Sequence, residues 1–146
     1  MTGCAPTTVQ AEKSGMARAS LDASIDYARQ RVSFGKPIAG HQLVQQLIAE
    51  MAIELEAARL MVFRALSILG SGSRSNIKAA MAKAFATEAA VRISSKAIQV
   101  HGAFGISRGF PVERHFRSTR MLTIPDGTTQ INNLIIGRIL LGTSAF

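Results

Sequence analysis

The sequence contains no tryptophan, one tyrosine (Tyr27) and one cysteine (Cys4), and it is poor in acids, with 9 Asp and Glu against 17 Lys and Arg. Each shortage excludes something. A lone cysteine permits neither an intrachain disulfide framework nor a thiolate metal centre, and it fits a reducing cytoplasm. Few aromatics argue against a half-buried sheet, whereas 47% hydrophobic residues, rich in Ala and Ile, suit closely packed helices. No stretch approaches the roughly 18 apolar residues of a membrane span, and the opening MTGCAPTTVQAEK lacks the apolar run of a secretory signal. A soluble chain is expected. The shortage of acid leaves a formal charge of +8, which makes a polyanion a candidate partner. Nucleic acid fits poorly, because the basic residues run from Lys13 to Arg138 without interleaved aromatics on which bases could stack. A diphosphate cofactor, or simple solubility, accounts for the charge more economically.

At 146 residues the chain suits one domain, since folds of about 150 residues bury roughly 70% of the surface their unfolded chains expose. Residues 1 to about 7 show no periodicity and read as a disordered tail, leaving 8–146 for the domain. Thr7 and Gln10 have capping-box spacing, so a helix is expected from about there to Val32, with Ser14-Gly15 as a possible break. Its apolar stripe is Leu21, Ile25, Ala28 and Val32. The segment SFGKPIAG resets the chain direction. A second helix follows from His41-Gln42, with apolar residues at three- and four-residue steps from Val44 to Leu69, until Gly70 and Gly72 stop it. A third runs from Ser75 or Asn76 to about Val100, and its many alanines allow neighbours to approach closely. Pro111 suits the first position of a short helix that ends before Pro125. A last helix starts at Asp126-Gly127-Thr128, where an Asp or Thr oxygen can cap free amides, and closes at Gly142. The expected fold is all-α: an up-down helical bundle of three long antiparallel helices with one or two shorter C-terminal helices.

Four ordered stretches then carry a family resemblance. YARQRVSFGKPIAGHQ (27 to 42), AIQVHGAFG (97 to 105), FPVERHFRSTRM (110 to 121) and IPDGTTQINNLIIGR (124 to 138) resemble, in order and spacing, the C-terminal helical domain of the flavin-dependent acyl-CoA dehydrogenases. The likeness covers nearly the whole chain after about residue 16. It implies FAD as cofactor and an acyl-CoA-type thioester as substrate. It also implies a homo-oligomer, dimer or tetramer, whose cofactor contacts cross subunits.

Residue by residue, the resemblance sets Arg31, Ser33 and Phe34 at the diphosphate of the flavin dinucleotide, commonly that of a neighbouring subunit. On physics alone Arg31 could serve the helix dipole and Phe34 could simply pack. Gln42 matches a residue near the adenosine end, while His41 reads as a polar helix start. Gln99, Gly102 and Ala103 match a turn that brings bare backbone against the cofactor, although Gly102 could be only a helix terminator and most relatives have a second Gly where this chain has Ala103. Thr128 and Gln130 match residues at the flavin dinucleotide. Arg138 reads first as a buried partner for a carbonyl or an acid. Arg108, Arg114, Arg117 and Arg120 could form an ordinary solvated face, and Arg117 is followed by Ser118 where relatives commonly have Asp. No metal site is expected.

Asp126 carries the mechanistic expectation. It could be a helix cap in a Pro-Asp-Gly turn. The resemblance places it where many members carry a glutamate, the base that removes the substrate's α proton while the β hydrogen leaves as hydride to flavin N5. Asp withdraws the carboxylate by about one methylene, and a misplacement of about 1 Å can cost roughly 100-fold in rate. Pro125, where relatives often have Tyr, points to a different substrate wall. The family's N-terminal helical and middle β domains have no counterpart here, so the chain reads as an excised C-terminal domain or a split-gene subunit, inactive without them. The alternative is a non-catalytic helical oligomerisation or interaction module derived from that family.

Overall fold

The structure is a computed structural model that describes the backbone of residues 6–73 and 75–143. Residues 1–5 of the expected tail lie outside the described residues, as do the side chains of the capping-box pair Thr7 and Gln10. Helix α1 (Pro6–Gln30) passes through Ser14-Gly15 without a break. Glycine inside a helix costs about 1 kcal/mol relative to alanine. Burial of Ala17, Leu21, Ser24 and Ala28 on the following turns outweighs that cost.

The expected stripe loses its last member. Val32 is 57% exposed, because the chain leaves α1 at Gln30 and folds into a two-stranded hairpin in which β1 (Val32–Ser33) pairs antiparallel with β2 (Lys36–Pro37). Phe34 (φ 51) and Gly35 (φ 79) form its two-residue loop, and two successive left-handed residues are what a type I′ turn requires. A 3-10 turn, Ile38–Gly40, then leads into helix α2 (Gln42–Gly70).

Helix α3 (Asn76–His101) packs against α1, α2 and both later helices, α4 (Pro111–Met121) and α5 (Thr129–Leu141). Ala58, Val62 and Ala65 of α2 meet Ala82, Ala86 and Ala89, while Met51 and Leu55, earlier on α2, join Ala90, Ile93 and Ala97. The two helices are therefore antiparallel, and alanines on α3 bring them close. Ala17 and Leu21 of α1 and Val112 of α4 complete the larger cluster. Lys96 reaches Glu50 and Glu54 at 2.9 and 2.8 Å, and Arg92 reaches Glu54 at 2.9 Å. These pairs are partly exposed and add little per bond.

Buried hydroxyls close the polar ledger of the core. Ser24, Thr87 and Ser94 each donate to the carbonyl four residues earlier, and Ser94 also lies 2.7 Å from the Thr119 hydroxyl, tying α3 to α4. At the end of α3, His101 stacks on Tyr27 with ring centroids 4.3 Å apart and meets Phe110 edge-on at 5.5 Å. Its Nδ1, 2.8 Å from the Ala97 carbonyl, must carry the proton, because a carbonyl only accepts.

Gly102 ends α3 with φ 60, and a 3-10 turn, Gly102–Ile106, doubles back over the helix. A Cβ at Gly105 would stand 2.6 Å from the Ile98 carbonyl oxygen and 2.9 Å from its Cα. Both are backbone atoms that cannot give. Gly105→Ala is therefore expected to lower unfolding stability by about 1–3 kcal/mol, the usual cost of overpacking, measured as a shift in denaturant midpoint.

Burial holds the His101 imidazole below the ordinary histidine range, opposed by the Ala97 carbonyl, and burial with the Arg114 charge does the same to His115. A depressed histidine pKa means that the unfolded chain binds the proton first. This contribution to stability is intact above the unfolded value of about 6.5 and is lost as pH falls through it. The melting temperature should drop between about pH 7.5 and pH 5, and the drop should be smaller in a His101→Gln variant.

Candidate functional site

The expected site residues gather in two clusters at different heights on α3. One surrounds Lys83. The other lies past Gln99, which is 16 residues further along α3 and so about 24 Å away along the axis.

The first cluster is the turn from Pro125 to Thr129. The cap of α5 is Thr128, whose hydroxyl accepts from the Ile131 amide at 3.4 Å. Asp126 does not cap. It stands exposed with φ 56, followed by Gly127 with φ 92, and among the described residues nothing pairs with its carboxylate. Its backbone, by contrast, is gripped. The Lys83 ammonium donates to the carbonyls of Pro125, Asp126 and Gly127 at 2.6, 2.5 and 2.7 Å. Buried Asn132 donates to the carbonyls of Gly127 and Thr128 at 3.0 and 2.9 Å, and Thr129 donates its hydroxyl proton to Glu88 at 2.6 Å. Gln130 is exposed beside them.

Lys83 is 4% exposed. Burial pushes its pKa below the ordinary lysine range, with the Asp126 carboxylate pulling the other way. Three carbonyl oxygens match the three N–H groups of an ammonium, which has no acceptor of its own. Lys83, Asn132 and Glu88 were not among the residues expected from sequence. A signal for Lys83 was present: it is the one cation in AAMAKAFATEAA, and it stands three and four residues from the buried Ala86 and Thr87.

The second cluster is built on the hairpin. Ser33, Phe34, Lys36, His41 and Gln42 line a cavity of about 700 Å³. His41 precedes α2 without capping it by its side chain. Instead its Nε2 lies 3.2 Å from the Ser33 carbonyl and holds the hairpin. Phe34 is 94% exposed. An exposed aromatic in a left-handed conformation carries backbone strain that its own packing does not repay. The Arg31 guanidinium lies 5.8 Å from the Phe104 ring centroid, which brings the Gly102–Ile106 turn beside the hairpin. Gln99, Gly102 and Ala103 are exposed there. The planar fork of Arg31, outside that lining, is suited to bidentate bonding of a phosphate.

One arginine stands differently from expectation. Arg138 is exposed, so it is not the buried partner anticipated, because the end of α5 leaves the core: Ile139, Leu140 and Leu141 are exposed too. Arg117, without an acid at its next residue, pairs with Glu113 one turn earlier at 2.5 Å. Among the described residues no cluster of His, Cys, Asp and Glu could hold a metal ion, and no helix is long and apolar enough to cross a membrane.

Residues 7–141 match the family model of the acyl-CoA dehydrogenase C-terminal domain. Cyclohexane-1-carbonyl-CoA dehydrogenase of Geobacter metallireducens is 39% identical over 137 residues, covering 94% of this chain and 36% of that protein. The 3-sulfinopropanoyl-CoA desulfinase of Paraburkholderia xenovorans is 46% identical over 128 residues, covering 88% of this chain and 33% of that protein. The solved butyryl-CoA dehydrogenase of Megasphaera elsdenii superposes with a TM-score of 0.91 at 34% identity, over 93% of this chain and 36% of that one. The chain thus spans about a third of the length of the relatives it matches. The chain therefore belongs to the acyl-CoA dehydrogenase family and forms its C-terminal helical domain.

Proposed function

We propose that this domain supplies the α-proton base and part of the flavin-dinucleotide wall of an enzyme that dehydrogenates an acyl-CoA-type thioester, and that it acts only together with an N-terminal helical and a middle β domain. The observation that carries this is the Asp126 turn. Its backbone is fixed by Lys83 and Asn132 while its carboxylate is left exposed and unpaired among the described residues. A carboxylate whose only role was capping would spend its oxygens on amides, and here Thr128 does that instead.

Asp126 removes the α proton. FAD, when bound, supplies the acceptor for the β hydrogen as hydride. Thr128 and Gln130 lie beside the base at the start of α5, where free amides and the helix dipole favour an anion. Arg31, with Ser33, Phe34 and Gln42, holds the diphosphate and its flank, and Gln99, Gly102 and Ala103 border it. About 24 Å between the clusters is more than one flavin ring spans, so the two clusters address different parts of the dinucleotide or different copies of it. Exposed apolar residues favour the second arrangement. Leu43, Ile53, Leu60 and Phe63 on α2 and Ile139 to Leu141 on α5 present surface that a dimer or tetramer would bury.

In the full subunit that carries this domain, Asp126→Asn should slow flavin reduction by acyl-CoA about 100-fold or more, the usual worth of a general base, while the bound-flavin absorbance is retained. The 146-residue chain mixed with FAD and acyl-CoA should give no flavin bleaching. Undiminished turnover in Asp126→Asn would remove the base from Asp126.

A further inference from the structure

We propose that Lys83 is a positioning residue for the base: by holding three consecutive carbonyls at one point, its buried ammonium sets the turn that aims the Asp126 carboxylate. This rests on Asp126 being the base. The carbonyls of Pro125, Asp126 and Gly127 converge on Nζ at 2.6, 2.5 and 2.7 Å. Consecutive carbonyls do not meet at one point in an ordinary helix or strand; here residues 126 and 127 are both left-handed, with φ 56 and 92. Aspartate tolerates that conformation, but it needs surroundings that fix it.

The charge is costly where it stands. A buried lysine in a helix face otherwise lined by Ala80, Ala82, Ala86 and Thr87 would be replaced at lower cost by an apolar residue unless its partners needed it. Its three bonds go only to the turn that carries Asp126. The start of α5 has other fasteners: Thr128 caps it, Asn132 binds the carbonyls of Gly127 and Thr128, and Glu88 binds Thr129. Those fasteners hold the turn from the far side. None of them touches the Pro125 or Asp126 carbonyl, so the backbone just before and at the base is held by Lys83. Because an aspartate reaches about one methylene less far than a glutamate, the backbone beneath it has less room for error.

Two variants test this, Lys83→Met, which donates nothing, and Lys83→Gln, which keeps two N–H groups and is the one to rely on if the first does not fold. In the 146-residue chain, NMR should show couplings from the Lys83 Nζ across hydrogen bonds to the three carbonyl carbons. Lys83→Gln should speed amide exchange at Ile131 and Asn132, whose N–H groups bond to Thr128, about tenfold or more while the middle of α3 keeps its protection. In the full subunit, the same variant should cut the limiting rate of flavin reduction about 10- to 100-fold with KM and flavin content nearly unchanged. In an Asp126→Asn background it should cost nothing further. Parent-like exchange and rate in Lys83→Gln, or a loss of rate matched by loss of flavin, would overturn the proposal. If Asp126→Asn alone left turnover intact, the base assignment would fail and this aiming role with it, whereas the exchange measurement separately reads whether the grip exists.

Discussion

An ammonium taken out of water must find acceptors for three N–H groups, and Lys83 finds all of them in one turn. That requirement couples the central helix to the segment between α4 and α5. Without the carbonyls the cation would be stranded in an alanine-lined face. Without the cation, the carbonyls of Pro125 and Asp126 would lose their partner together, and that of Gly127 would keep only Asn132. Each side makes the other tolerable, and the carboxylate of Asp126 stands on the shared structure.

The rest of the bundle serves α3. Its alanines let α2 approach along their shared length, and Ser94 and Thr119 bind α4 to it. His101, stacked on Tyr27, closes its far end against α1. A helix fixed on so many sides can hold two clusters about 24 Å apart in constant relation. That is useful if one cluster presents a base and the other a cation for a diphosphate. A domain with so little aromatic content packs closely because small side chains let backbones approach, and hydroxyls satisfied within their own helices keep the polar cost low.

The helices were legible because the period of Val44 to Leu69 and the punctuation by Gly70, Pro111 and Gly142 are local signals, and local signals fix local structure. What was not legible depended on partners distant in sequence. Gly15 does not interrupt α1 because burial on the following turns decides there, which composition cannot show. Val32 left its stripe because the Phe34-Gly35 loop closes a hairpin two residues long, too short for alternation to reveal. Arg138 was expected inside and lies outside, since apolar content alone does not tell a core face from a surface awaiting another subunit. Asp126 and Thr128 were equal candidates for the cap, and only geometry separates them. Lys83 counted toward net charge, while its role needed residues more than 40 positions away.

Relatives named as a dehydrogenase and as a desulfinase match this domain at 39% and 46% identity. The turn from Pro125 to Thr129 is organised by the domain itself and not by a bound ligand. Backbone 15N relaxation of residues 125–129 in the isolated chain tests it directly. Order parameters near those of rigid backbone, about 0.85, are expected without flavin or substrate. Values below about 0.6, those of a flexible loop, would contradict it.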